Sequence, residues 1–130
     1  MKKFSKSSSD RIVLRFGKGE IKAGFAGSFL KRALGLSFRR SLGKDGGLFF
    51  SFPRRHRPVF WNFGMRFPID IVWMDGGRII GVEENIPSMG GGLRVFSPPQ
   101  KADSALEVMA GSAGVVGAEI GGIINAVYGE

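Results

Sequence analysis

The segment IDIVWMDGGRIIGVEEN, residues 69–85, constrains the fold more than any other part of the chain. Two runs rich in β-branched and apolar residues flank Asp75-Gly76-Gly77. Glycine readily adopts the positive φ angles that a tight hairpin turn requires. We therefore predict an antiparallel hairpin here, and with it a sheet built from strands that follow each other closely in sequence.

Further runs of β-branched, aromatic and other apolar residues occur on both sides of this hairpin. Their lengths of six to eight residues are typical of strands in small β proteins. The additional predicted strands are RIVLRF (11–16), EIKAGFA (20–26), GLFFSF (47–52), PVFWNF (58–63), SALEVMAG (104–111) and GIINAVY (122–128).

The segments between these runs predict turns, loops and short helices. Gly17-Lys18-Gly19 suits a hairpin turn, and residues 53–57 suit a basic loop. Ser28 can cap a short helix that Gly35 ends, and SAGVVG (112–117) permits one helical turn. The prolines and glycines of IPSMGGGLRVFSPPQ (86–100) predict a long, mobile loop.

Short strands joined by turns, without alternation of strand and helix, favour a mostly β fold. We predict a small single-domain β-barrel-like structure with one or two short helices. At 130 residues the chain has the length of one domain, which we expect to span residues 11–130. MKKFSKSSSD, residues 1–10, is expected to be a flexible N-terminal tail.

Charge is distributed unevenly along the chain, whose net charge is +8. Residues 1–66 contain 16 Lys and Arg against three acids, a balance of +13, whereas residues 67–130 contain three against eight, a balance of −5. Eleven of the twelve phenylalanines lie at or before Phe67, so the basic half is also the aromatic half. This asymmetry indicates either a match between the halves or a positive surface for an anionic partner.

Composition argues against several classes of protein. The absence of cysteine excludes disulfides and thiolate metal ligands, and the single His56 lacks the partners of an imidazole zinc site. We therefore expect no metal site and no cofactor. No run approaches the roughly 18 apolar residues of a membrane span, so no membrane contact is expected. The absence of cysteine fits a cytoplasmic protein. We expect a monomer rather than an oligomer.

Five segments occur in a characteristic order and spacing: RALGLSFR (32–39), GLFFSF (47–52), FWNFGMRFPIDIVWMD (60–75), GRIIGVEENIP (77–87) and ALEVMAGSAGVVGAEIG (105–121). Together they resemble the uncharacterised domain-of-unknown-function family 192 (DUF192). The resemblance implies a compact, mostly β, barrel-like fold of about this length, and implies no reaction, cofactor or substrate. The sequence departs from the family pattern where Gly121-Gly122 replaces a Gly-Asp pair and Asn62-Phe63-Gly64 replaces Lys-Asn.

Two carboxylates are candidates for acid–base chemistry. Strand alternation places Asp70 on the opposite face from Ile69 and Ile71, and Glu107 in SALEVMAG repeats this pattern. A hydrolase would use Asp70 as acid or base, and a carboxylate pair would require the two side chains to meet in space. The structural alternative is that Asp70 accepts backbone N–H groups or pairs with Arg32 or Arg39.

A non-enzymatic domain that binds a small ligand or a partner is the leading functional hypothesis. Its predicted cleft is covered by residues 88–97 as a lid. The expected partner is a small anionic ligand or another protein. The residues predicted to frame the cleft are Arg32, Arg39, Trp61, Met65 and Asp70.

Binding of single-stranded nucleic acid, in particular RNA, is the alternative hypothesis. Arginine side chains would contact phosphates while Phe60 or Trp61 stacks on unpaired bases. The residues assigned to this surface are Arg54, Arg55, Arg57, Phe60 and Arg66.

Overall fold

The computed structural model describes residues 11–26 and 46–128. The predicted tail over residues 1–10 and the predicted helix over residues 28–35 lie outside these ranges. One α-helix, α1 (Ser112–Val116), and a 3-10 turn (Met89–Gly91) occur within them. The strands of the described residues are β1 (Arg11–Arg15), β2 (Glu20–Phe25), β3 (Gly47–His56), β4 (Phe60–Trp61), β5 (Ile69–Asp75), β6 (Arg78–Ile86), β7 (Val95–Phe96), β8 (Ala102–Met109) and β9 (Asn125–Tyr128).

Seven strands form one sheet in the order β6-β5-β8-β3-β2-β1-β9, and β4 pairs separately with β7. Only β2 and β3 run parallel among the described pairs. The sheet curls into a half-barrel. The two edge strands of this sheet are β6 and β9. They approach each other where Arg78 of β6 bridges to Ile123, two residues before β9, and the Ile79 N–H donates to the Gly122 carbonyl at 2.9 Å. The prediction of a mostly β, barrel-like fold is confirmed.

The hairpin of β5 and β6 forms as predicted. Asp75 and Arg78 are its last paired residues, and Gly76 and Gly77 have φ angles of 61° and 77°. Positive φ at both central positions is the requirement of a type I′ turn. The Asp103 carboxylate accepts the Gly76 N–H at 2.9 Å, so β8 also holds the turn.

The aromatic segments differ from the prediction in extent and pairing. β3 continues through the predicted loop to His56, with a register shift after Ser51. The predicted strand over residues 58–63 is only two residues long, and its partner β7 lies within the segment predicted as a long loop. Phe60 is opposite Phe96 in this pair, and both rings pack against the hydrophobic core.

Side chains pack against both faces of the sheet. We call the inner face the one that α1 covers, and its core includes Leu14, Phe49, Val72, Leu106 and Val108. We call the outer face the opposite one, and its core includes Phe50, Ile69, Ile71, Trp73 and Phe96. Strands β3, β5 and β8 contribute to both cores, which explains their nearly continuous apolar sequences. No helix of the described segments is long and apolar enough to cross a membrane.

Candidate functional site

Asp70 lies on β5 with its side chain fully buried on the inner face. Its Oδ1 accepts the Asn85 N–H at 2.9 Å, and its Oδ2 accepts the N–H groups of Gly111 at 2.9 Å and Ala113 at 3.1 Å. Gly111 is the N-cap of α1 and Ala113 lies in its first turn, where N–H groups have no partner inside the helix. The carboxylate therefore joins β5 to β6 and to α1, which is the backbone-acceptor alternative considered from the sequence.

Glu107 lies on the other side of the sheet from Asp70. It is opposite Ile71 on β5 and opposite Leu48 on β3, and both of these residues belong to the outer core. Only 4% of Glu107 is exposed. Because side chains alternate along a strand, the register separates the two carboxylates by the thickness of the sheet. They do not form an acid–base pair.

The residues predicted to frame a ligand cleft occupy different parts of the molecule. Met65 is buried in the outer core, whereas Asp70 points to the inner side. Trp61 is 55% exposed on β4. Arg32 and Arg39 lie outside the described residues. The described members of the set therefore do not converge on one cleft.

Two of the four arginines of the predicted nucleic-acid surface, Arg55 and Arg57, make intramolecular contacts. Arg55 binds the Asp75 carboxylate with two nitrogens, at 2.9 and 3.1 Å through Nε and 2.9 Å through Nη2. The hydrogen bond and the charge of Asp75 raise the pKa of Arg55. Arg57 Nε donates to the Pro98 carbonyl at 2.9 Å. Arg54 and Arg66 are exposed.

Phe60 turns toward the core and leaves Trp61 as the exposed ring of β4. The Phe60 ring contacts Phe50 and Trp73 at centroid distances of 5.1 Å and Phe96 at 6.0 Å. Of the two aromatic residues considered for stacking on bases, Trp61 is therefore the accessible one.

The outward side of the β4–β7 pair carries apolar side chains at alternating positions. Trp61 faces Val95 across the pair, and its ring lies 6.1 Å from that of Phe63. The Asn62 N–H donates to the Arg94 carbonyl at 3.1 Å, which extends the register by one residue. We call this surface the ribbon face. Its residues and their exposed fractions are Val59 (72%), Trp61 (55%), Phe63 (45%), Leu93 (60%) and Val95 (63%).

Asn62 holds the ribbon face in place from beneath. Its side chain is fully buried and donates to the carbonyls of Pro87 at 2.9 Å and Gly92 at 2.8 Å. Its Oδ1 accepts the Arg94 N–H at 2.7 Å. The glycine-rich segment is thereby tied to β4, and sequence reasoning did not identify this role. The available signal was an amide between Trp61 and Phe63, at the alternate position that faces inward.

A family model and two solved structures match this chain. The model of the DUF192 family, described as "Uncharacterized ACR", matches residues 12–125. No curated protein matches the chain.

Two solved structures are similar to this chain. The first, a candidate transcription regulator from Sinorhizobium meliloti 1021, has a TM-score of 0.78 and 22% identity over 95% of this chain and 98% of its own. The second, a protein of unknown function from Novosphingobium aromaticivorans DSM 12444, has a TM-score of 0.75 and 21% identity over 88% of this chain and 83% of its own. At these identities the likeness concerns the fold.

Proposed function

We propose that this chain, which belongs to the DUF192 family of uncharacterised proteins, is a non-enzymatic binding domain. Its ribbon face contacts a protein partner. The observation that carries this proposal is the outward apolar face of the β4–β7 pair. An alternating strand pattern normally turns its polar residues to water. Here the outward positions are apolar, and such patches mark interaction surfaces.

The composition of the ribbon face favours protein over nucleic acid. Trp and Phe are enriched in the cores of protein interfaces, and Trp is frequent among the residues that dominate binding energy. Single-strand binders use aromatic rings, since every base has a π face to stack on them. Three of the five residues of the ribbon face are aliphatic and offer no ring for stacking: Val59, Leu93 and Val95.

Exposed arginines lie close to the ribbon face in sequence. Arg57 precedes the face by two residues and Arg66 follows it by three, whereas Arg94, between Leu93 and Val95, is at an alternate position on the other side of the β4–β7 pair. A second copy of this chain would bring the same arginines together, which is unfavourable. The partner that fits is therefore a protein with an apolar surface rimmed by acidic side chains.

The buried carboxylates support binding rather than catalysis. Both oxygens of Asp70 already accept backbone N–H groups, and Glu107 faces the opposite core. A general acid or base must reach a proton of the substrate within hydrogen-bond distance. Neither carboxylate is placed on a surface that a substrate would reach.

A random peptide library displayed on phage and selected on the full-length protein tests this proposal. We expect enriched peptides that combine apolar residues with Asp or Glu. The dissociation constant of the synthetic peptides should rise at least about tenfold in Trp61→Ser. Val115→Ser is the matched control, because Val115 is also apolar and is 76% exposed on α1.

Two results would contradict the proposal. One is that selected peptides bind Trp61→Ser as tightly as the unchanged protein. The other is that oligothymidylate quenches Trp61 fluorescence in a salt-dependent way while no acidic peptide is selected, which would assign the ribbon face to nucleic acid. The second tryptophan, Trp73, is 1% exposed and serves as the internal reference.

A further inference from the structure

We propose a second binding site, independent of the ribbon face, in a cavity of about 190 Å³ at the open end of the half-barrel. We infer that it takes a small molecule with an apolar body of single-ring size and one hydrogen-bond donor, a hydroxyl or an ammonium group. The inference rests on the order of side chains along the inner face.

The inner face changes from apolar to polar along its strands. On β8 the row runs from Val108 through Leu106 to Ser104, and on β3 it runs from Phe49 to Ser51. Helix α1 covers the Val108 end. The opposite end holds the cavity, where Ser51 and Ser104 face each other across β3 and β8.

Apolar side chains form the inner wall of this cavity. Leu14, Phe49 and Met74 come from three different strands, so the wall is built by the sheet itself. An engineered apolar cavity of roughly 150 Å³ binds benzene in another protein. The volume here therefore suits one ring or a short branched chain. Gly76 and Gly77 of the hairpin turn are exposed and form its rim.

At the polar end of the cavity Asp103 and Ser104 offer acceptors, and the Ser51 hydroxyl can donate or accept. Ser104 Oγ donates its proton to Asp103 Oδ1 at 2.9 Å, so the Ser104 oxygen presents only lone pairs. Asp103 Oδ2 accepts the Gly76 N–H at 2.9 Å and keeps acceptor capacity. A ligand that donates to Asp103 is therefore favoured, and a ligand carboxylate would meet the negative charge of Asp103. This class differs from the anionic ligand expected from the sequence.

Methionine methyl NMR on the full-length protein measures this binding directly. Met74 lines the cavity, whereas Met65 is buried in the outer core and reports that the fold is intact. The probes are benzyl alcohol, benzylamine, toluene and benzoate, which share a ring and differ in the head group. We expect saturable shifts of the Met74 methyl with benzyl alcohol and benzylamine, and benzoate binding at least about tenfold weaker.

Three variants separate the cavity from non-specific contact with aromatic probes. Ser51→Leu fills the cavity and should abolish the Met74 shifts. Ser97→Leu adds the same side chain outside the cavity and should leave them unchanged. Asp103→Asn removes the negative charge of this side chain and should reduce the difference in affinity between benzylamine and benzoate.

The proposal is overturned by any of three outcomes while the Met65 methyl keeps its folded position. The first is that no probe shifts the Met74 methyl resonance. The second is that Ser51→Leu binds the probes as tightly as the unchanged protein does, and the third is that benzoate binds as tightly as benzyl alcohol. Retained Met74 shifts in Trp61→Ser would show that this site is distinct from the ribbon face.

Discussion

Asp70 illustrates how one buried side chain organises three separate segments. Its two oxygens accept N–H groups from Asn85, Gly111 and Ala113, which lie 15 to 43 residues away in sequence. Burial of a carboxylate is costly unless hydrogen bonds satisfy it, and here three bonds do so. We therefore expect the residue to contribute to stability.

Asp70→Ala should lower the free energy of unfolding by at least about 3 kcal/mol, because three backbone donors lose their acceptor. Urea denaturation followed by circular dichroism measures this loss. Asp75→Ala is the control at the other end of β5, since its partner Arg55 is 60% exposed. Its cost should stay below about 1 kcal/mol. Equal losses in the two variants would show that Asp70 has no special structural role.

Strand alternation predicted correctly that Asp70 lies on the face opposite Ile69 and Ile71, because alternation along a strand is a local property. Its partners were not predictable, since they come from segments that only the folded chain brings together. Trp61 shows the converse. Its exposure was not predictable from its apolar neighbours, because it results from the pairing of β4 with β7, which leaves one side of the pair in water.

At the scale of elements, hairpins were predictable and longer connections were not. The β5–β6 turn depends on two adjacent glycines, and the β1–β2 pair depends on another short turn. The β4–β7 pair joins segments about 35 residues apart, and its order depends on Asn62. The glycines and prolines of residues 86–100 indicated only a loop, because the amide that orders this segment lies 25 to 32 residues away from its partners in sequence.

Asn62→Ala should loosen the ribbon face without unfolding the main sheet. The variant removes an acceptor from the Arg94 N–H and a donor from the carbonyls of Pro87 and Gly92. Hydrogen exchange of the Arg94 amide should accelerate by at least about tenfold, whereas the amides of β5 and β8 should keep their rates. Ser88→Ala is the control, because Ser88 makes no capping hydrogen bond in the adjacent 3-10 turn.

Equal rates of amide exchange in Asn62→Ala and Ser88→Ala across residues 87–95 would contradict this role of Asn62. Accelerated exchange throughout β5 and β8 would show instead that the β4–β7 pair and the main sheet unfold together.

At the scale of the whole molecule, the sheet separates groups that look adjacent in sequence. Arg54 and Arg55 lie on the exposed end of β3, whereas Asp70 is buried on the inner face. The basic stretch and the carboxylate therefore do not share a surface. Sequence could not decide this, because the faces of a curled sheet are set by register between distant strands. The Arg55–Asp75 pair is one contact that joins the positive and negative halves of the chain.

The two cores should unfold in a single transition, because β3, β5 and β8 supply side chains to both. In a Trp61→Phe background, Trp73 fluorescence reports the outer core and the Met74 methyl reports the inner core. The two urea midpoints should coincide. Leu106→Ala, a change confined to the inner core, should lower the stability measured by both probes by the same amount, about 2 to 5 kcal/mol. A shift seen by Met74 alone would mean that each face of the sheet folds as an independent unit.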